Sequence, residues 1–150
     1  MILASIRPDS WNLPLFVHVL GAMVLVGGLL TTTIAVLVAR GDSRVLRIGA
    51  MTLFFVCLPG YFIMRGGAQW VYSREFPGDP DDTPAWVGIG FATADLGGLL
   101  LLISLILAGL GLRRQRGGGG AGLLRASLLI SVVLLAAYLV AVWAMSAKPA

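Results

Sequence analysis

One carboxylate and one guanidinium group interrupt the long apolar runs of this chain, and both residue types could do chemistry inside a membrane. Asp95 is the single charged residue in the apolar stretch 85–112, and Arg65 follows a second apolar run. A charge at membrane depth is costly, so such residues usually face other helices, pair with one another and mark ion, proton or ligand sites. We therefore predict an Arg65–Asp95 pair, either as a structural ion pair or as part of a proton or ligand site. In the alternatives, Asp95 bonds to another helix and Arg65 extends to the lipid headgroups.

His18 is the only histidine of the chain. A lone imidazole on a helix face is either a packed, hydrogen-bonded side chain or a ligand, and one histidine cannot supply both axial ligands of a haem within one chain. A haem would need Met23 or Met51 as its second ligand, or a position across a dimer interface. A metal held by His18 and Asp95 alone would be thinly coordinated. We therefore predict no complete metal site and no cofactor, with His18 as the ligand if haem or copper binds.

Four apolar segments must position these residues. The chain has 150 residues, of which 58% are hydrophobic and 12% charged, and its mean hydropathy is +0.92. About 20 apolar residues cross the hydrocarbon core as a helix. We predict one integral membrane domain over 1–150, an all-α, four-helix transmembrane bundle of up-down topology. Its helices are predicted at about 14–39, 45–72, 84–112 and 122–145.

The end of the second helix is ambiguous. Pro59 and Gly60 predict a kink or the end of the regular helix, because proline removes a helical hydrogen bond. A helix that stopped at Met64 would barely span the bilayer, so we expect it to continue to Tyr72. Arg65 would then lie on the helix, at a depth within roughly 3 Å of Asp95 at 1.5 Å per residue.

Helical periodicity assigns one polar stripe to each helix. Asp95 is surrounded on its face by small residues, which membrane helices place at their interfaces, so we expect it to point inward. Tyr138 shares a stripe with Ser127 and Ser131 of the fourth helix. The four stripes predict a buried polar cluster in the outer half of the bundle. Its members are Asp95, Arg65, His18 and Tyr138.

Arginines set the predicted orientation. They concentrate in the first and third connections between helices, and cytoplasmic loops carry such an excess. Both termini and the acidic loop with Glu75, Asp79, Asp81 and Asp82 should then face outward. The net charge is +4, and the arginines behind it flank apolar runs. Their position indicates membrane topology and not nucleic-acid binding. Arginine-rich, lysine-poor usage suggests a bacterium, and the chain is expected to be a multi-pass protein of the bacterial plasma (inner) membrane.

The first helix resembles that of small bacterial integral membrane proteins of unknown function, and is similar to the copper-resistance D (CopD-like) proteins. The residues that carry the resemblance are His18, Gly21, Ala22, Gly27 and Gly28. The resemblance implies a multi-pass bundle and raises the prospect of copper or haem chemistry at His18.

Two classes of function remain open. The first is a non-enzymatic membrane protein, either an accessory subunit or a small carrier of protons, ions or a hydrophobic ligand. The second is a haem- or copper-associated membrane protein that uses His18. An enzyme is not expected, because no catalytic set of residues is complete. The lipid bilayer is the expected partner, with a homo-oligomer or a larger membrane complex as further possibilities.

The orientation can be tested by cysteine labelling of intact cells in a Cys57→Ala background. A cysteine at Gly118 should resist an impermeant reagent, because the arginine-rich connections are expected in the cytoplasm. A cysteine at Asp81 should react with it. The reverse pattern would contradict the predicted orientation.

Overall fold

The computed structural model describes residues 12–75 and 84–147, and the outer loop predicted around Asp79, Asp81 and Asp82 lies outside them. Helix α1 spans Asn12–Val38, α2 spans Ser43–Glu75, α3 spans Ala85–Gln115 and α4 spans Ala121–Ala147. Each is long and apolar enough to cross a membrane. The all-α four-helix prediction is confirmed, and α2 continues past Met64 to Glu75, as its required length predicted.

The four helices alternate in direction and pack as two close pairs. Helix α1 packs mainly on α2, α3 packs mainly on α4, and a contact between α1 and α4 joins the pairs. Helices α2 and α3 pack far less closely than the helices within either pair. The arginine-rich connections lie together at what we call the arginine end, and the opposite end holds the start of α1 and the end of α4. The up-down topology therefore leaves one side of the bundle to be closed by long side chains.

Glycines bring the backbones of α1 and α2 into direct contact. Gly21 lies against the backbone of Met64, so that a Cβ built on Gly21 would overlap it. Farther along, a Cβ on Gly60 would lie 2.9 Å from the backbone nitrogen of Leu25. A Cβ on Gly67 would lie 2.5 Å from the backbone nitrogen of His18. Membrane helices associate through such close packing because lipid gives apolar side chains no reason to prefer protein.

A pair of serines joins α3 to α4. Ser104 Oγ donates to the carbonyl of Ser127 at 2.9 Å, and Ser127 Oγ donates to the carbonyl of Ser104 at 2.8 Å. Both residues are fully buried. Two reciprocal bonds satisfy both hydroxyls inside the bundle, where an unpaired polar group would be expensive. They fix the antiparallel register of α3 and α4.

A π-helical turn interrupts α2 at Leu53–Cys57, just before Pro59. The N–H of Leu58 bonds to the carbonyl of Leu53, five residues earlier. Proline lacks an N–H, and a widened turn is one way for a helix to accommodate it. The predicted irregularity at Pro59 is thus present, and it precedes the proline without ending the helix.

The two connections at the arginine end are tight turns. Asp42 caps the start of α2 by accepting from the N–H of Arg44 at 2.8 Å. Gly118 and Gly120 have φ values of +83° and +92°, a left-handed conformation that favours glycine. Glycine at these two positions of the run 117–120 adopts this conformation without strain.

The α1–α2 contact predicts that alanine has different effects on stability at two glycines of α1. Gly21→Ala should lower the free energy of unfolding by roughly 1–3 kcal/mol, because its methyl group meets backbone that cannot move aside. Gly27→Ala is the matched control, since a Cβ at Gly27 meets nothing within 4 Å. It should leave stability unchanged or raise it, because alanine favours the helix. Thermal unfolding in detergent measures both, and equal effects would contradict the described packing.

Candidate functional site

Arg65 and Asp95 form the predicted ion pair between α2 and α3. Arg65 Nη2 lies 3.0 Å from Asp95 Oδ1, and Arg65 Nε donates to the same oxygen at 3.1 Å. The ion pair joins two helices that pack far less closely than α1 with α2 or α3 with α4. It therefore closes the fourth side of the bundle with side chains instead of backbone contact.

Further contacts of Arg65 fix its position. Its Nη1 donates to Gln69 Oε1 at 3.2 Å, one turn along α2. Its Cζ lies 4.8 Å from the ring centroid of Phe91, a cation–π distance, and Phe91 also meets Tyr72 edge to face. Tyr61 packs against Gly98. The polar stripe of α2 therefore comprises Tyr61, Arg65, Gln69 and Tyr72, and it meets α3.

The prediction that Asp95 points inward is wrong. Its side chain is 62% exposed, whereas that of Arg65 is 28% exposed. The packed face of α3 passes through Gly90, Ala94 and Gly97, and Asp95 lies about 100° around the helix from Ala94. The small residues that suggested an inward face belong partly to the exposed side. Asp95 thus reaches Arg65 from the outer edge of the α3 surface.

His18 is held by a backbone carbonyl and not by a side chain. Its Nδ1 lies 2.9 Å from the carbonyl oxygen of Met64. A carbonyl can only accept, so Nδ1 carries the proton, and in the neutral imidazole Nε2 then has a free lone pair. No hydrogen bond of Nε2 occurs within residues 12–75 and 84–147. The geometry leaves Nε2 able to accept a hydrogen bond or to ligate a metal.

Tyr138 is buried in α4, with 4% of its surface exposed. Its hydroxyl group packs against Gly97 of α3 and has no hydrogen-bond partner in the described part of the chain. The predicted buried cluster of four residues is therefore not one cluster. Arg65 and Asp95 join α2 to α3 at the bundle surface, whereas His18 and Tyr138 line an apolar space beside that pair.

That space is an apolar cleft of about 710 Å³ between all four helices, at the end opposite the arginines. Along α1 it extends from Leu15 to Val26, which is roughly 16 Å at 1.5 Å per residue. Ligand sites of this size are usually apolar with a few placed polar groups. The polar side chains here are His18, Tyr72, Glu75, Tyr138 and Ser146.

The sequence did not identify several residues of this cleft. Met145, Trp86 and Met64 line it, as does Met23, which the sequence offered as a second haem ligand. Met145 follows Tyr138 by seven residues, so the same helical stripe could have indicated it. Met51, which the sequence offered as a second haem ligand, instead lines a pocket at the arginine end and cannot share a ligand with His18.

Comparison of the chain with protein-family models, with curated proteins and with solved structures gives no match. The helices alone define the class of protein, which is a four-helix bundle whose segments are each long and apolar enough to cross a membrane.

A double-mutant cycle tests the ion pair. Arg65→Gln and Asp95→Asn should each destabilise the protein, and the double variant should lose less than the sum, with a coupling of roughly 0.5–3 kcal/mol. Removing one partner of a fully buried ion pair lowers the free energy of unfolding by roughly 3–5 kcal/mol. We expect a smaller loss here because Asp95 is exposed. Arg74→Gln, an exposed arginine in the last turn of α2, is the control and should add to Asp95→Asn without coupling. Additive effects at Arg65 and Asp95 would show that the pair contributes nothing.

Proposed function

We propose that this chain is a non-enzymatic, multi-pass protein of the bacterial inner membrane that holds or carries an apolar, hydroxyl-bearing ligand in the cleft between its four helices. The observation that carries the proposal is the cleft, whose lining is apolar apart from a few polar side chains. Its length of roughly 16 Å matches half of the hydrocarbon core of a bilayer. A long apolar molecule could enter it from the membrane.

The chemistry of His18 selects the polar group of the ligand. Because Nδ1 donates to the carbonyl of Met64, Nε2 offers an acceptor to the cleft. A hydroxyl group, as in a long-chain alcohol or a quinol, can donate to it. Among the described residues, the carbonyl of Met64 occupies the Nδ1 position at which a catalytic histidine often has an orienting carboxylate, which supports binding over catalysis.

Binding can be followed by fluorescence, because Trp86 lines the cleft and bromine quenches tryptophan on contact. The probes are 12-bromo-1-dodecanol and 1-bromododecane, which differ in the hydroxyl group. His18→Leu should weaken binding of the alcohol about fivefold, as loss of one hydrogen bond of about 1 kcal/mol requires, and leave the bromoalkane unaffected. Trp86→Phe should remove most of the quenching.

Ala68→Phe, which fills the cleft, should weaken binding of both probes. Its matched control is Ala92→Phe, at an exposed position of α3 outside the cleft, which should bind both normally. Equal quenching in all variants would show that the probes reach tryptophan from bulk lipid or detergent and would contradict the proposal.

A second candidate is a haem- or copper-associated protein, and one observation favours it. His18 shares the cleft with Met23, Met64 and Met145, and thioether and imidazole groups suit copper(I) or a haem iron. A histidine that donates its other nitrogen to a carbonyl is also the usual arrangement of a metal ligand. Either group would supply one-electron chemistry, with Nε2 of His18 as the ligand.

Visible absorption spectroscopy and metal analysis of detergent-purified protein separate the two candidates. Bound haem or copper that is lost in His18→Leu would favour the second. A colourless, metal-free protein that binds the bromo-alcohol would favour the first.

A further inference from the structure

A second concave site lies at the arginine end, far from the cleft. It is a pocket of about 540 Å³ between the start of α2, the end of α3 and the start of α4. Its walls carry Arg44 and Arg47 from α2 and Arg113 and Arg116 from α3 and its C-cap. Two opposed walls of arginine therefore face one space.

These charges lack compensation within residues 12–75 and 84–147. The arginine end holds seven arginines: Arg40, Arg44, Arg47, Arg113, Arg114, Arg116 and Arg125. Among the described residues, the single acid at this end is Asp42, whose carboxylate accepts from the N–H of Arg44 and caps α2. The ion pair between Arg65 and Asp95 involves none of these seven. Four guanidinium groups around a pocket without a counter-charge attract an anion, and their planar donors suit phosphate oxygens.

Backbone structure adds to the attraction and fixes the walls. Helices α2 and α4 begin beside the pocket at Ser43 and Ala121, and helix N-termini favour anions. Gln115 Nε2 donates to the carbonyl of Ser43 at 3.2 Å, which ties the end of α3 to the start of α2. Two opposed arginine walls are therefore held at a set separation.

Apolar surface beside the arginines distinguishes a lipid from a free anion. Met51 and Leu112 line the same pocket, and Ile48, on the adjoining surface of α2, is 63% exposed. A soluble phosphate would gain nothing from them, whereas acyl chains would cover them. Basic pockets between transmembrane helices on the cytoplasmic side are suited to anionic headgroups.

We propose that this pocket binds the phosphate-bearing headgroup of an anionic membrane lipid, with Arg44, Arg47, Arg113 and Arg116 as its donors. The acyl chains lie along Met51, Leu112 and Ile48. The lipid bridges α2 and α3 at the end where only Gln115 joins them by a side-chain hydrogen bond in the described ranges. This site is independent of the cleft and of any ligand bound there.

The test measures lipid binding by full-length protein in a neutral detergent, with short-chain probes. Dioctanoyl phosphatidylglycerol should bind at least about tenfold more tightly than dioctanoyl phosphatidylcholine, because the choline cancels the phosphate charge. Glycerophosphoglycerol, which is deacylated phosphatidylglycerol with the same phosphodiester charge, should bind more weakly than the anionic lipid. Equal affinity for the two lipids would overturn the proposal, and a glycerophosphoglycerol affinity equal to that of the lipid would overturn it in favour of a soluble phosphate.

Variants separate the pocket from the general positive charge of this end. Arg47→Gln with Arg113→Gln removes one donor from each wall and should weaken binding of the anionic lipid about tenfold or more. Arg114→Gln with Arg125→Gln removes the same charge from exposed positions outside the pocket, and should weaken it no more than about threefold. Arg47→Lys with Arg113→Lys should restore most of the affinity. Equal losses in the two glutamine pairs, with unfolding temperatures unchanged without lipid, would show diffuse attraction and overturn the site.

Discussion

Backbone contact at glycine holds α1 against α2, and the remaining structure depends on it. Gly21 lies on the backbone of Met64, and Gly67 lies on that of His18. In a bilayer, apolar side chains are as well solvated by lipid as by protein, so association relies on packing and on hydrogen bonds. This contact also sets the register that brings His18 Nδ1 to the carbonyl of Met64. The tautomer of the His18 imidazole therefore depends on how closely α1 and α2 pack.

The bundle uses a different interaction on each side. Backbone contact joins α1 to α2, and the bonds between Ser104 and Ser127 join α3 to α4. Side chains alone span the gap between α2 and α3, through Arg65 and Asp95 at one level and Gln115 at another. The cleft lies beside the first of these links and the arginine pocket beside the second. Both candidate sites thus occur where the helices are held apart by long side chains.

The sequence predicted the architecture well because length and hydropathy determine it. The continuation of α2 past Met64 followed from the span that a bilayer requires, and that continuation is what places Arg65 opposite Asp95. The direction of Asp95 could not be obtained in the same way. Helix α3 is apolar around its whole circumference, so periodicity carries little information, and small residues occur on both its packed and its exposed faces. The cleft was not predictable either, because an empty volume is defined by the side chains of four helices together.

The tautomer of His18 tests the packing of α1 on α2 and the acceptor proposed for the cleft most directly. The chain has one histidine, so ¹⁵N-histidine labelling of protein purified without a histidine tag reports a single imidazole. The bond to the carbonyl of Met64 predicts the tautomer protonated at Nδ1, with Nε2 as the unprotonated nitrogen, whose resonance shifts when 12-bromo-1-dodecanol is added. A ring protonated at Nε2 would contradict the bond to the carbonyl of Met64, and with it the helix register and the acceptor proposed for the cleft.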